Sequence, residues 1–145
     1  LEGFPFLHFT QTTTVNQMSR TLGPEIQKMV VTMKASGIMP RGPLVIVIHG
    51  ATSDPSHAIE IMVGFKVNAG AAAPADYEMS DLPPSKCAVS LYSGPLEQVK
   101  LAYQKLYPGI FGAGLTPSSD IREYILYYET PESSNDVAMV AVGLQ

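Results

Sequence analysis

Gly23-Pro24-Glu25, followed by an amphipathic segment that closes with Ser36-Gly37-Ile38-Met39-Pro40, is the stretch that decides the fold, because a similar unit recurs later in the chain. A proline is tolerated at the first position of a helix, where its missing N–H would have no partner anyway. The apolar positions that follow have the i, i+3, i+4, i+7 spacing of one buried helical face: Ile26, Met29, Val30 and Met33. The stretch therefore predicts a helix that begins at Gly23-Pro24, ends at Gly37 and is followed by a buried strand, Leu44–His49.

A second unit of the same plan begins at Gly94-Pro95-Leu96-Glu97, closes with Ala113-Gly114-Leu115-Thr116-Pro117 and leads into a strand-like run over residues 121–129. Its helical face is predicted at these apolar positions: Leu96, Val99, Tyr103, Leu106, Tyr107 and Ile110. Pro108-Gly109 should kink or end this helix. The interval from the Gly-Pro pair to the closing proline is longer than in the first unit, which predicts a longer second helix. Two similar halves usually pack together, and the seam between them is a natural cleft.

Strand patterns occupy most of the remaining chain. Residues 56–67 show the pattern most clearly, because apolar side chains there alternate with Glu60, Met62, Gly64 and Lys66. Further strands are predicted over residues 6–21 (irregular or bulged), 77–82, 86–92 and 137–142, with turns at 50–55 and 130–136 and a flexible connection at 68–76. This order predicts an α+β fold, an antiparallel sheet with helices on one side. We expect a single domain over residues 1–145, with pseudo-repeats at about 1–75 and 76–145.

Composition excludes several classes of protein. The chain has 145 residues, of which 46% are hydrophobic and 15% charged, so it can build a core and is not a disordered tail. Its net charge is −4 without a cluster of Lys or Arg, which argues against direct nucleic-acid binding. No apolar stretch approaches the roughly 18 residues that cross a bilayer, and no signal peptide pattern opens the chain. We therefore expect a cytoplasmic protein that does not act at a membrane.

Catalytic and metal-binding motifs are not apparent in the sequence. Cys87 is the single cysteine and is expected to be a small apolar strand residue. His8, His49 and His57 lack the spacing of a metal site, and no Gly-x-Ser-x-Gly elbow is present. The sequence thus predicts no metal, no cofactor and no assigned catalytic residue.

Four segments from residue 58 onward share their order and spacing with a known family. They are Ala58-Ile59-Glu60-Ile61-Met62-Val63-Gly64-Phe65-Lys66-Val67, Leu82-Pro83-Pro84-Ser85-Lys86-Cys87-Ala88, Ser93-Gly94-Pro95-Leu96-Glu97 and Ile121-Arg122-Glu123-Tyr124-Ile125-Leu126. From about residue 40 to the end, the chain resembles the GyrI-like small-molecule-binding domains. These are effector domains of MerR- and AraC-type transcription regulators and also occur as stand-alone proteins. The resemblance implies duplicated β-α-β-β units that form one curved antiparallel sheet, two helices on one face, and a ligand cavity between them.

The family resemblance places a carboxylate in that cavity at Glu123. The strand pattern agrees, since Glu123 alternates with Ile121, Ile125 and Tyr127 and should point inward with them. A carboxylate in apolar company must be paired, hydrogen-bonded or available to a cation. In the family, the matching Glu often meets lipophilic cationic ligands. A salt bridge with a basic residue of the second helix, Lys100 or Lys105, is the alternative.

Aromatic residues provide the other predicted ligand contacts. Tyr103, Tyr107 and Phe111 follow one another at i, i+4 and i+8 and would wall a cavity with π faces suited to flat or cationic molecules. Core filling is the alternative for each of them. Ile125 stands where the family motif has Tyr, and His49 lies near where the family places a pocket aromatic. The alternative for His49 is a surface or core histidine with a satisfied partner.

The resemblance favours a binding module, a sensor or sequestering protein for a small amphipathic organic ligand that is lipophilic, cationic or aromatic. In this family, such multidrug binding is related to transcription regulation. The sequence leaves undecided whether the chain forms a homodimer. A hydrolase that activates water with the pocket Glu is a second hypothesis. The resemblance implies a pocket Trp for such members, and this sequence contains none. A protein-binding inhibitor, for example of DNA gyrase, is the third.

Overall fold

The computed structural model describes residues 1–50, 54 and 56–145, without the side chains of residues 16, 19 and 20. Its elements are β1 (Phe4–Thr14), α1 (Val15–Ala35), β2 (Leu44–His49), β3 (Ala58–Lys66), β4 (Glu78–Leu82), β5 (Cys87–Ser93), α2 (Lys100–Gly112), β6 (Pro117–Tyr127) and β7 (Val137–Leu144). The predicted order of strands and helices is confirmed. The predicted turn at 50–55 falls largely outside the described residues.

The seven strands form one antiparallel sheet in the order β4-β1-β3-β2-β6-β7-β5. In the first half, the strand before the helix pairs with the second strand after it, giving β1-β3-β2. The second half repeats this as β5-β7-β6, and β2 pairs with β6 at the seam. The predicted α+β fold of duplicated β-α-β-β units is therefore confirmed, with β4 added at one edge.

A short linker at residues 83–86 joins the two edge strands, β4 and β5, and forces the sheet to curve. Seven flat strands spaced by about 4.8 Å would separate those edges by roughly 29 Å. The five residue steps from Leu82 to Cys87 reach at most about 18 Å. The linker is also bonded near both edges, since the Leu1 amino group donates to the Ser85 carbonyl (2.7 Å) and the Leu144 N–H donates to the Lys86 carbonyl (2.9 Å).

The two faces of the sheet bury different apolar clusters, as the two-residue period of a strand requires. The face that carries both helices buries a cluster built from Ile46, Ile48, Ile61, Val63, Ile121 and Val142, against which Ile26 of α1 and Leu106 of α2 pack. The opposite face, over which the linker passes, buries Phe6, Val45, Val47, Leu82, Tyr124 and Ala141. Neither helix in the described part of the chain is long and apolar enough to span a membrane.

The predicted start of the first helix is wrong. α1 begins at Val15, directly after Thr14 in extended conformation, and Pro24 lies inside the helix. An internal proline removes one helical hydrogen bond, yet the buried side chains Leu22, Met29 and Met33 hold the helix on the sheet on both sides of it. Packing of this apolar face outweighs the local Gly-Pro signal. Val30, predicted on the same face, is 47% exposed.

The second helix also differs from its prediction. Residues Leu96–Gln98 form a short 3-10 turn, and α2 begins only at Lys100, continues through Pro108 and ends at Gly112. Gly94 has φ 146°, and the Tyr92 hydroxyl donates to the Pro95 carbonyl, so this corner is a bend before the helix. α2 has 13 residues and α1 has 21, so the predicted longer second helix is wrong.

Two glycines test this architecture in opposite directions. A Cβ on Gly64 would lie 1.8 Å from the Leu7 carbonyl oxygen, so Gly64→Ala should push β1 off β3 and destabilise the domain by more than about 4 kcal/mol. A Cβ on Gly109 would meet no atom within 4 Å. Because Gly109 lies exposed inside α2, Gly109→Ala should stabilise the domain by about 0.5–1 kcal/mol. Urea unfolding followed by circular dichroism measures both, and a destabilised Gly109→Ala would contradict the continuation of α2 past Pro108.

Candidate functional site

Glu123 lies in the middle of the sheet, on the face covered by the helices. It is paired across the sheet with Ile46 of β2 and Val140 of β7, and its residue exposure is 4%. Ile121 and Ile125 of β6 point to the same face, as the alternation predicted. Tyr127 does not join them and is 52% exposed, because the pairing of β6 with β7 shifts register between residues 125 and 127. The carboxylate therefore sits among aliphatic side chains, at the seam of the two halves.

Helix α2 closes over this carboxylate with an aromatic side chain. The Tyr103 hydroxyl donates a hydrogen bond of 2.5 Å to Glu123 Oε2. The ring of Tyr107 lies one turn further along the helix, with its centroid 6.4 Å from that of Tyr103 and an interplanar angle of 32°. Both tyrosines are half-buried and pack against the apolar cluster on the face of the sheet that carries the helices. The structure thus brings together four of the six predicted site residues: Glu123, Tyr103, Tyr107 and Ile125.

The environment of Glu123 disfavours its charge. Within the described residues, no basic side chain forms an ion pair with it, and Lys100 and Lys105 are exposed. Burial raises the pKa of Glu123 above its usual 4.5, while the hydrogen bond from Tyr103 opposes this shift. Burial, followed by the charge of Glu123 and this hydrogen bond, raises the pKa of Tyr103 well above 10. The salt bridge considered as an alternative for Glu123 is not formed.

Phe111 lies away from this site, and its predicted place on the buried face of α2 is wrong. Its side chain is 63% exposed, whereas Ile110 is buried. The reason is helical geometry: a step of seven residues nearly completes two turns, but a step of eight rotates the side chain by roughly 80° beyond them. Position i+7 from Tyr103, occupied by Ile110, therefore faces the sheet and Phe111 faces outward.

His49 is also separated from Glu123, because it points to the opposite face of the sheet. It alternates with Ile48 along β2 and shares the face of Val45 and Val47. Its side chain is 47% exposed, and its Nδ1 lies 2.8 Å from Asp120 Oδ1. The alternative of a satisfied surface histidine is therefore the correct one, and the prediction that His49 reaches the cavity of Glu123 is wrong.

Arg122 is a buried charged residue that the sequence analysis did not single out. It is 8% exposed on the linker face, and its Nη2 donates to the Pro83 carbonyl at 2.7 Å. The sequence did contain a signal for its position: Arg122 directly precedes Glu123, and neighbouring residues in a strand point to opposite faces of the sheet. In the described ranges, no three His, Cys, Asp or Glu side chains cluster closely enough to hold a metal ion.

The sequence matches no protein-family profile and no curated protein, but its fold matches solved structures. The C-terminal domain of EcmrR superposes with a TM-score of 0.80 at 14% identity, covering 100% of this chain and 93% of that domain. EcmrR in its DNA complex superposes with a TM-score of 0.82 at 14% identity. The match covers 100% of this chain and 55% of that one, so the chain spans about half of EcmrR.

SAV2435 bound to tetraphenylphosphonium gives a TM-score of 0.67 at 13% identity, covering 100% of this chain and 90% of that one. This chain has the GyrI-like fold. A hydrolase encoded by lin2189 from Listeria innocua superposes on this chain with a TM-score of 0.62 at 9% identity, covering 100% of this chain and 89% of that one. At these identities the likeness establishes the fold alone, and the chemistry must be argued from the residues of this chain.

The raised pKa of Glu123 predicts a pH-dependent stability. A carboxyl group whose pKa is higher in the folded than in the unfolded state favours folding when it is protonated. That contribution is complete below pH 4.5 and is lost as the pH rises through the pKa of the folded state. The stability of Glu123→Gln relative to wild type should therefore increase with pH above 4.5, which thermal unfolding in buffers from pH 4 to 8 measures. A difference that stays constant over this range would contradict the burial of an ionisable Glu123.

Proposed function

We propose that this chain binds small lipophilic cations between α2 and the sheet, with Glu123 as the counter-charge, and serves as a sensor or sequestering domain. The observation that carries the proposal is the buried Glu123 carboxyl, which is 4% exposed, accepts a hydrogen bond from a tyrosine hydroxyl, and forms no ion pair with any basic side chain that the structure describes. A carboxylate in an apolar site is stabilised most by a cation that is itself poorly hydrated. The fold it shares with SAV2435, described in complex with tetraphenylphosphonium, supports the same ligand class.

The aromatic residues of α2 suit the same class of ligand. Tyr103 and Tyr107 present two rings on one side of the helix, next to the aliphatic side chains of Ile46 and Ile125. Aromatic faces attract a cation through their quadrupole, and aliphatic walls bury its organic substituents. The site therefore combines one charge with apolar surface, which selects for charge and hydrophobicity more than for a particular shape.

Binding requires α2 to move, because the helix covers Glu123 in this structure. α2 is suited to this: it contains Pro108, carries Gly109 and Gly112 near its end, and has no side-chain N-cap. Only Ala102 and Ile110 of the helix are fully buried. A helix with few buried side chains and an internal proline opens at a lower free energy than the sheet. We propose that a ligand displaces the Tyr103 hydroxyl from Glu123 and occupies the space under the helix.

Tetraphenylphosphonium is the probe that tests the proposed function. Isothermal titration calorimetry near pH 8 should show saturable binding to the wild-type chain. Glu123→Gln keeps the size and a polar group but removes the charge, so its affinity should fall by roughly 10- to 100-fold, the equivalent of one strong charged interaction. Tetraphenylborate, which has the same shape and the opposite charge, should not bind. Equal affinity of wild type and Glu123→Gln for the phosphonium would overturn the proposal.

Tyrosine variants separate the role of the hydroxyl from that of the ring. Tyr103→Phe removes the hydrogen bond to Glu123 that a ligand must break, so it should destabilise the free domain by about 1–3 kcal/mol and bind the phosphonium at least as tightly as wild type. Tyr107→Phe removes a hydroxyl from the same helix that forms no hydrogen bond with Glu123, and it should leave both quantities nearly unchanged. Weaker binding by Tyr103→Phe would show that this hydroxyl contacts the ligand instead of competing with it.

Hydrolysis is the second candidate function, because a hydrolase from Listeria innocua has a similar fold. A hydrolase would use Glu123 as a general base, which needs an ionised carboxylate in contact with water. Here the carboxyl group is buried beneath Tyr103 and away from solvent, and the chain has no Trp. These features favour binding over turnover. Hydrolysis of an electrophilic substrate by wild type but not by Glu123→Gln would reverse that preference.

A further inference from the structure

The face of the sheet opposite to α2 also contains a cavity. It has a volume of about 140 Å³, opens between the sheet and the linker, and is lined in part by Val47, His49, Leu82, Ser85, Arg122 and Ala141. The walls formed by Val47, Leu82 and Ala141 are apolar and buried. The cavity therefore combines apolar walls with a few polar groups at defined places, and it is smaller than the roughly 300–1,000 Å³ of a drug-sized site, so it suits only a very small molecule.

The guanidinium of Arg122 is the strongest polar feature of this cavity. The residue is 8% exposed, and its Nη2 donates to the Pro83 carbonyl at 2.7 Å. Its other terminal nitrogen, Nη1, is buried and has no hydrogen-bond partner among the described residues. A buried charged donor without a partner is unfavourable, and an arginine presents its donors in a plane that matches an oxyanion.

The acidic residue at the cavity does not neutralise Arg122. Asp120 lines the same space, but its Oδ1 is held by His49 Nδ1 at 2.8 Å, and the described residues show no ion pair between Asp120 and Arg122. The cavity thus contains one carboxylate with a histidine partner and one guanidinium without an anionic partner. An incoming anion would supply the charge that Arg122 lacks.

We propose that this cavity binds a small organic carboxylate of a few carbon atoms. The guanidinium of Arg122 shifts so that Nη1, which is buried in the free chain, donates to the carboxylate, and the alkyl part packs against Val47, Leu82 and Ala141. An arginine–carboxylate contact is a charge-assisted hydrogen bond and is stronger than a neutral one. The linker then serves two purposes: it joins the edge strands, and its Pro83 carbonyl fixes the guanidinium that receives the ligand.

This site is independent of the proposed cation site. Arg122 and Glu123 are neighbours in β6, so their side chains point to opposite faces of one sheet. A failed test of one site therefore says nothing about the other. Glu123→Gln should leave carboxylate binding unchanged.

The test is a titration of the ¹⁵N-labelled wild-type chain with sodium butyrate, at an ionic strength held constant with sodium chloride. The amide signals of Val47, Ser85 and Ala141 should move together and saturate. Arg122→Gln should weaken butyrate binding by at least about 10-fold, the size expected for one lost charged hydrogen bond. Lys86→Gln is the matched control, because it removes one positive charge from an exposed position on the same linker. It should bind butyrate as wild type does.

Three results would overturn the proposal. Shifts that stay linear in butyrate, or that spread over the surface, would show that Arg122 only fastens the linker. An equal loss of affinity in Lys86→Gln would show a general charge effect. Saturation with sodium phosphate but not with butyrate would assign the cavity to an inorganic anion. If Arg122→Gln does not fold, Arg122→Lys and the map of shifts in the wild-type chain decide, since neither depends on that variant.

Discussion

The contact between the carboxyl group of Glu123 and the hydroxyl of Tyr103 joins the sheet to α2 at the seam of the two halves. The burial of the carboxyl group and the position of α2 over it both depend on this contact. The sheet supplies an acid whose charge is disfavoured by burial, and the helix supplies the donor that makes this burial tolerable. A domain built only for stability would place an aliphatic residue at this position, because replacing a buried charged group with a well-packed apolar one is often neutral or stabilising. The presence of a carboxyl group there is the reason why we propose a ligand at this seam.

The short linker at residues 83–86 covers the face of the sheet that lies opposite to the helices. It brings the two edge strands together and passes over Val47 and Ala141, where it encloses a cavity instead of leaving an open surface. The same strand, β6, then places a buried anion-forming group under the helix and a buried cation under the linker. These opposite charges lie on opposite faces because adjacent strand residues alternate. The two proposed sites, for ligands of opposite charge, depend on that alternation and on the curvature of the sheet.

The sequence predicted those features that depend on local periodicity. The alternation of residues 56–67 and 121–125 correctly gave the buried face, and with it the inward position of Glu123. The predictions from sequence were wrong where tertiary packing outweighs a local signal. Gly23-Pro24 resembles a helix start, but the apolar face of α1 extends on both sides of it and keeps the helix continuous.

The site residues that were misplaced failed for geometric reasons. Phe111 lies one position beyond Ile110, the last residue of the buried face of α2. His49 alternates with Ile48 along β2 and therefore points to the face of the sheet opposite to Glu123. The hydrogen bond between Tyr103 and Glu123 joins residues on different elements, so no local pattern could give it. Arg122 was hidden because its partner is the carbonyl of a linker residue, and only the curved sheet brings that linker over β6.

The ionisation of Glu123 itself tests the account most directly. Carbon-13 NMR of the side-chain carboxyl carbon, assigned by its absence in Glu123→Gln, can follow the titration in the free protein and in the presence of tetraphenylphosphonium. We expect a pKa above 4.5 in the free protein, since burial raises it, and a lower pKa when the cation is bound, since a positive charge favours the ionised form. A pKa at or below 4.5 in the free protein, or one that the cation leaves unchanged, would contradict the assignment of Glu123 as the buried counter-charge of the site.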